Sequence, residues 1–325
     1  MPCRERSLLR GAPRRPLLHK EMRELLLGRG LWASLLIAVL LSGYSYVQAV
    51  QLYGQASQAA QNSLELARGL SPLDGILAPT FGGLYLVSTL LYPLVVICIV
   101  GVEKYSGAYQ LLLQLPYSLA ELAAAKLAAS VAAWLLLVCP CLAALGLWTI
   151  QGGHLAGWET ANLMLGHFLF ALVIAGISLF SAAATQSAAS ASIAAIGVTL
   201  GFWVLDFASA GDEGLLKVLS ELSLTQLLKS FERGVFSLGA VLGSLSATLG
   251  LTAMAGVWLR PDWSPTRKAV NSLLVAALTA LAVAGATRIH FYRDAAEDRR
   301  NSFSERDEAL LRKIDGPLNI HVYLA

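Results

Sequence analysis

Seven runs of apolar residues, each about long enough to cross a bilayer, dominate this chain and leave few folds open to it. A membrane-crossing helix needs about 20 mainly apolar residues. The stretches 31–50, 81–102, 127–150, 161–184, 188–205, 235–259 and 269–286 meet that requirement. Only Thr185-Gln186-Ser187 separates the fourth run from the fifth, which predicts a tight turn. Every run contains Gly, Ser or Thr, as helices in lipid tolerate. No run has a charge near its centre, and Asp206 stands at the end of the fifth. Of the 325 residues, 56% are hydrophobic and 14% charged, against roughly 25% charged in a soluble domain. Disorder is excluded, since it needs low hydrophobicity and high charge. A water-soluble enzyme is disfavoured for the same reason. The expected class is all-α and polytopic, with apolar surface turned to lipid as well as to the core.

The net charge of +3 is too small to argue for nucleic acid, but its distribution sets an orientation. Cytoplasmic segments collect Lys and Arg. With the N-terminus inside, those segments hold Arg4, Arg6, Arg10, Arg14, Arg15, Lys20, Arg23, Arg29, Lys104, Lys126, Arg260, Arg267 and Lys268. The outside loops before the seventh run hold only Arg68, Lys217, Lys229 and Arg233. The tail after 286 adds seven basic residues outside, but long translocated segments count for little. A multi-pass protein of the plasma or inner membrane is expected, N-terminus cytoplasmic and C-terminal tail extracytoplasmic.

Residues 1–13 read as disordered. Arg14-Arg15-Pro16-Leu17-Leu18 faintly resembles a twin-arginine signal, but the apolar run begins about a dozen residues later and no small-residue cleavage site follows. Over 14–30, Leu17, Leu18, Glu21, Met22, Leu25 and Leu26 share one helical stripe, with Lys20, Arg23 and Glu24 mostly off it. That pattern predicts an amphipathic helix in the membrane interface; a cytoplasmic helix without membrane contact is the alternative. Loop 51–80 is polar, and loop 206–234 contains an amphipathic stretch over 215–231.

Between the second and third runs lies Glu103–Lys126, EKYSGAYQLLLQLPYSLAELAAAK. Leu111, Leu112, Leu113 and Leu115 predict a helix, which Pro116 breaks. Ser118 is a natural N-cap, with Glu121 three residues on to complete a capping box. Two short helices joined at a proline are therefore expected, the second running into the third span. Taken alone, this is a capped helical hairpin at the membrane edge.

The same segment resembles the signature of ABC-2-type transporter permeases. Glu103, Lys104, Gly107, Leu112, Leu113, Pro116, Ser118, Glu121 and Lys126 fall in that pattern without a gap. Ala108, Gln110 and Leu119 depart from it, where Thr, an acid and Arg are usual. More loosely, Lys20-Glu21-Met22-Arg23-Glu24-Leu25 resembles the family's pre-span helix. Gln186 and Ala188 fall at its turn between the fourth and fifth spans, and 222–234 resembles its last outside loop. The resemblance covers about residues 14–260 and implies a six-helix membrane domain over 31–260. It also implies a second permease copy or homologous permease, and a cytoplasmic ABC ATPase subunit that binds the ATP. Glu103, Lys104, Gly107, Leu112, Leu113, Pro116, Ser118 and Glu121 would be the ATPase-docking residues. This chain has no GxxxxGK[ST] phosphate loop, so no cofactor of its own is expected.

The seventh run, 269–286, lies outside that six-span pattern. The tail, 287–325, carries Phe303-Ser304-Glu305 and 310–323, which resemble the opening of Gld-type auxiliary proteins of gliding machinery. Leu318, Ile320, Val322 and Leu324 alternate as a strand does. A lone strand is not stable, so the tail reads as the start of a truncated auxiliary domain or as one completed by a Gld-like partner.

Cys139-Pro140-Cys141 sits in the third run, where two thiolates could take a soft metal, with His154, Met164 and His167 as further ligands. A proline kink flanked by small apolar side chains is the simpler reading. His167 reads as a helix-interface histidine. Gly197–Gly201 and Gly239–Gly243 are GxxxG motifs that let helices approach closely. No HExxH, Ser/His/Asp order or paired carboxylates appear, so the chain is not read as an enzyme. The expected function is a transporter permease moving an unidentified substrate with a separate ATPase. The alternative is a membrane anchor that assembles an extracytoplasmic, gliding-type complex.

Overall fold

The computed structural model describes residues 15–61, 70–115, 117–208, 223–297, 299–303 and 305–313. It is about 81% helical with almost no strand, hence all-α. The helices are α1 (Arg15–Leu27), α2 (Arg29–Ala60), α3 (Ala78–Leu90), α4 (Tyr92–Ser106), α5 (Ala108–Leu112), α6 (Leu119–Leu137) and α7 (Cys139–Ile150). There follow α8 (Gly157–Ala184), α9 (Ala188–Ala208), α10 (Leu224–Glu232), α11 (Leu238–Trp258), α12 (Pro265–Thr287) and α13 (Glu305–Leu311). Short strands β1 (Val235–Ser237) and β2 (Tyr292–Asp294) pair antiparallel, with Phe236 opposite Arg293.

Among the described residues, seven helical stretches are long and apolar enough to cross a membrane. They are Arg29–Ala60, Leu73–Ser106, Leu119–Ile150, Gly157–Ala184, Ala188–Leu205, Leu238–Trp258 and Pro265–Thr287. Each of the seven apolar runs lies in one of them, with shifted ends. The first helix continues ten residues past the apolar run, with Gln51, Gln55 and Gln58 on its surface, so 51–60 is helix and not loop. The second begins at 73 with a π-turn over Leu73–Leu77 that leads into Pro79 in the first turn of α3. The sixth begins at 238, because 235–237 is drawn into the strand pair.

Prolines divide two of these stretches. Pro93 breaks the second between α3 and α4; its ring would collide with the carbonyl of Thr89 in a regular helix. That carbonyl accepts a hydrogen bond from Thr199 Oγ1 of α9 at 3.4 Å. Pro140 starts α7 and divides the third stretch at Val138.

The core sits around α8, the most deeply buried of the seven candidate spans. It packs against α4, α9, α10 and α11. Helix α2 buries a narrow stripe of small residues, Ser34, Ala38 and Ser42 among them, against α3. At their crossing, a Cβ on Gly83 would lie 2.9 Å from the Ser42 backbone, so only glycine fits there. The outer faces of α2, α9 and α12 carry exposed Leu36, Leu40, Ile193, Trp203, Leu273 and Leu278. Apolar side chains on an outer face are what a helix bundle presents to lipid.

Candidate functional site

The candidate site lies where α1, the end of α4, α5 and the start of α6 meet. Helix α1 buries Leu17, Glu21 and Leu25, spaced four apart on one face. A carboxylate in that row needs a cation, since an unpaired buried charge is costly. Lys126 of α6, 1% exposed, supplies it. Its Nζ donates to Glu103 Oε2 at 2.7 Å, to Glu21 Oε1 and Oε2 at 3.2 and 3.3 Å, and to the Ile99 carbonyl at 2.9 Å. Lys20 pairs with the other oxygen of Glu103 and lies 3.6 Å from Glu21. Two lysines and two buried carboxylates, with the exposed Glu24 3.3 Å from Lys20, thus form a hydrogen-bonded cluster that ties α1 to the second and third spans.

Lys104 is held differently. Its Nζ reaches the carbonyls of Ala182, Ala183 and Thr185 at 2.9, 2.6 and 2.5 Å. These lie at the C-terminus of α8, where carbonyls lack helical partners and a cation is favoured.

Of the sequence-predicted docking residues, Glu103 is buried and Lys104 half-buried, and both are engaged by partners within the chain. Gly107 adopts φ +81°, the left-handed conformation that ends α4 and turns the chain into α5. Leu112 is buried and Leu113 half-buried. Tyr109 is buried as well, its phenol pushed up to about 12 by burial, and its hydroxyl has no hydrogen-bond partner among the described residues. Ser118 and Glu121 form the full capping box: Ser118 Oγ accepts from Glu121 N at 3.2 Å, and Ser118 N donates to Glu121 Oε2 at 2.9 Å. Pro116 lies outside the described residues. What the segment presents outward is Leu111, 67% exposed, and Leu115, 48% exposed, with Gln110 and Gln114 beside them.

The sequence reading missed the role of Lys126 and Glu21 as a buried pair. One signal was available: a glutamate in the apolar stripe of α1, with a lysine at the mouth of an apolar span. It also missed what the tail does. Asp294, at the end of β2, accepts from Ala296 N, Asn301 N and Ser302 Oγ at 2.9, 2.9 and 2.7 Å. Burial opposes its ionisation, but these hydrogen bonds outweigh it and hold the carboxyl below the usual range. Arg300 pairs with Asp74 and lies 3.5 Å from buried Glu159 of α8. Residues 292–297 and 299–303 are thereby clasped onto the bundle, on the face opposite α1. The strand expected over 318–324 and the segment 1–13 lie outside the described residues.

The other candidates fall as follows. Cys141 is buried and donates to Ser42 Oγ at 3.3 Å, while Cys139 is exposed and donates to the Leu135 carbonyl. Among the described residues no three His, Cys, Asp or Glu side chains gather as metal ligands. His167 is buried, 5.0 Å from the Phe81 ring and 3.6 Å from Glu232. Gly239 and Gly243 face Ala286 at the end of α12, an intrachain contact, whereas Gly197 and Gly201 meet nothing within 4 Å.

Fold and composition together define a multi-pass helical membrane protein. Compared with known proteins, the chain matches no family model, no curated protein and no solved structure.

Proposed function

We propose that the chain is the membrane-spanning permease subunit of an ABC-type transporter and works with a separate cytoplasmic ATPase and a second permease. The observation that carries this reading is the segment after the second span. It shows an exposed Leu111–Leu115 ridge backed by the buried Lys126–Glu103–Glu21 cluster. A partner pressing on that ridge would push on α5, whose neighbours α4 and α6 are joined to α1 through the cluster. Force at the ridge would therefore reach two spans and the pre-span helix together. The basic residues on the same face, Arg29, Arg260, Arg267 and Lys268, favour the cytoplasmic side for it. The resemblance of Glu103–Lys126 to ABC-2 permeases supports the identity of the partner. The scarcity of charge within the spans suits a lipid-like or amphiphilic cargo and argues against a proton relay.

The test is to search the neighbouring genes for an ABC ATPase and to co-purify the chain with the ATPase so identified. Leu111→Asp with Leu115→Asp should abolish recovery of the ATPase while the permease still elutes as a folded species. Undiminished recovery removes the docking assignment. The clasped tail favours a second role, anchorage of an extracytoplasmic partner, in the same molecule. Removing 305–325 should release such a partner without affecting ATPase recovery.

A further inference from the structure

On the face opposite α1, a cavity of about 650 Å³ opens between the first turns of α8, strand β2 and the turn that follows it. The size is within the range of about 300–1,000 Å³ found for ligand sites. Asn162 stands in its wall and is 5% exposed. Its Nδ2 donates to the Phe231 carbonyl at 3.0 Å, but Oδ1 is buried and has no partner among the described residues. A buried acceptor without a donor is costly, and this one borders an open space of ligand size.

Two arginines and two carboxylates line the cavity, but they are not paired with one another. Asp294 accepts the hydrogen bonds described above, and Glu297 Oε1 lies 2.8 Å from His154 Nε2. Arg293 and Arg299 also line the cavity, and neither guanidinium has an acidic partner among the described residues. Arg293 stands 6.0 Å over the ring of Trp158. Helix α8 has no side-chain cap at Ala156, and its first turn carries the buried Glu159, which accepts from Glu297 N at 3.1 Å and lies 3.5 Å from Arg300. Leu165 and Phe236 make the other wall apolar. Trp158 and Phe291 are exposed at the rim, at the ends of membrane-spanning helices where aromatic belts form.

We propose that this cavity binds the head of an anionic, phospholipid-like amphiphile. Its phosphate would sit on Arg293 and Arg299, a hydroxyl or ammonium donor would satisfy Asn162 Oδ1, and its chain would leave along Leu165 and Phe236. This requires only the fold and stands whether or not the chain transports anything.

The experiment measures binding to the full-length protein in a neutral detergent by native mass spectrometry and thermal shift. Three probes are compared: a short-chain phosphatidylglycerol, inorganic phosphate, and the matching diacylglycerol. Saturable binding of phosphatidylglycerol that far exceeds both others is the expected result. Arg293→Gln with Arg299→Gln, both at the surface, should weaken it at least about tenfold, the scale of a lost charge-assisted hydrogen bond. Trp158→Ala provides a second variant and should weaken it too, with the fold unchanged. Binding of inorganic phosphate as tight as that of the lipid would overturn the proposal in favour of a soluble anion. Equal binding of diacylglycerol, or full binding by the double arginine variant, would overturn the role of the head.

Discussion

Replacing Lys126 by Met keeps the length and apolar bulk of the side chain and removes its charge. In the native cluster Lys20 and Lys126 hold the buried Glu21 and Glu103, 2% and 4% exposed, and Lys20 also meets the exposed Glu24. After Lys126→Met, two buried carboxylates share Lys20 alone, and the Ile99 carbonyl loses its donor. Breaking a buried ion pair by removing one partner costs about 3–5 kcal/mol. At about 2 °C per kcal/mol for a large chain, the melting temperature should fall by about 6–10 °C. Adding Glu103→Gln leaves a single buried carboxylate, Glu21, with Lys20 3.6 Å away. The double variant should therefore melt above the single one. The assay is intrinsic-fluorescence melting in detergent, together with thiol labelling of a cysteine at Leu17, which is 5% exposed in the native protein. Labelling should accelerate in Lys126→Met, because α1 loses its charged tie. A Lys126→Met protein that melts within about 1 °C of the parent, against the size of that penalty, would refute the cluster as the element that holds α1. So would a double variant that melts lower than the single one.

Tyr109→Phe deletes a buried hydroxyl that has no partner among the described residues, so melting should be unchanged or raised by up to about 1 kcal/mol of stability. Native Tyr109 should also show a pH effect. Its phenol is raised, so the stability it contributes is complete below pH 10 and is lost as pH climbs through about 12; Tyr109→Phe should flatten that loss. Ser118→Ala removes the capping box and should cost about 1 kcal/mol, read as a lower denaturation midpoint, with Ser118→Asp restoring most of it. Asp294 has the opposite sign to Tyr109. Its folded pKa is lowered, so its stabilisation is present above the usual carboxylate range and disappears as pH falls through the lowered value. Proteolysis of the tail near Arg299 should rise on acidification, and Asp294→Asn should show that faster cleavage already at neutral pH.

The spans were legible in the sequence because each is one unbroken apolar run, and no other soluble or disordered state accommodates that much exposed hydrophobicity. Their ends were less so. Residues 51–60 look like a loop by polarity, but a helix already nucleated in the membrane extends through good helix formers such as Gln and Ala at little cost. The stretch 235–237 reads as span by hydropathy, yet a strand partner 57 residues away, at 292–294, claims it. Nothing local encodes that pairing. The capping box at Ser118 and Glu121 was legible because it is made within four residues. Glu103 and Lys104 could be picked out by pattern, but not their direction. Whether a charge faces a partner or a neighbouring helix depends on Glu21, Lys126 and the carbonyls of Ala182 and Ala183, all distant in the chain. The cavity around Asn162 was invisible for the same reason, since its walls come from α8, β1 and the tail.

The most direct measurement is the ATP hydrolysis rate of the candidate partner ABC ATPase, alone and reconstituted with this chain in lipid nanodiscs. A permease subunit should raise or couple that rate, and Leu111→Asp with Leu115→Asp should return it to the level of the ATPase alone. A rate that is the same with the chain, without it and with the double variant would contradict the transporter reading and leave a membrane anchor in its place.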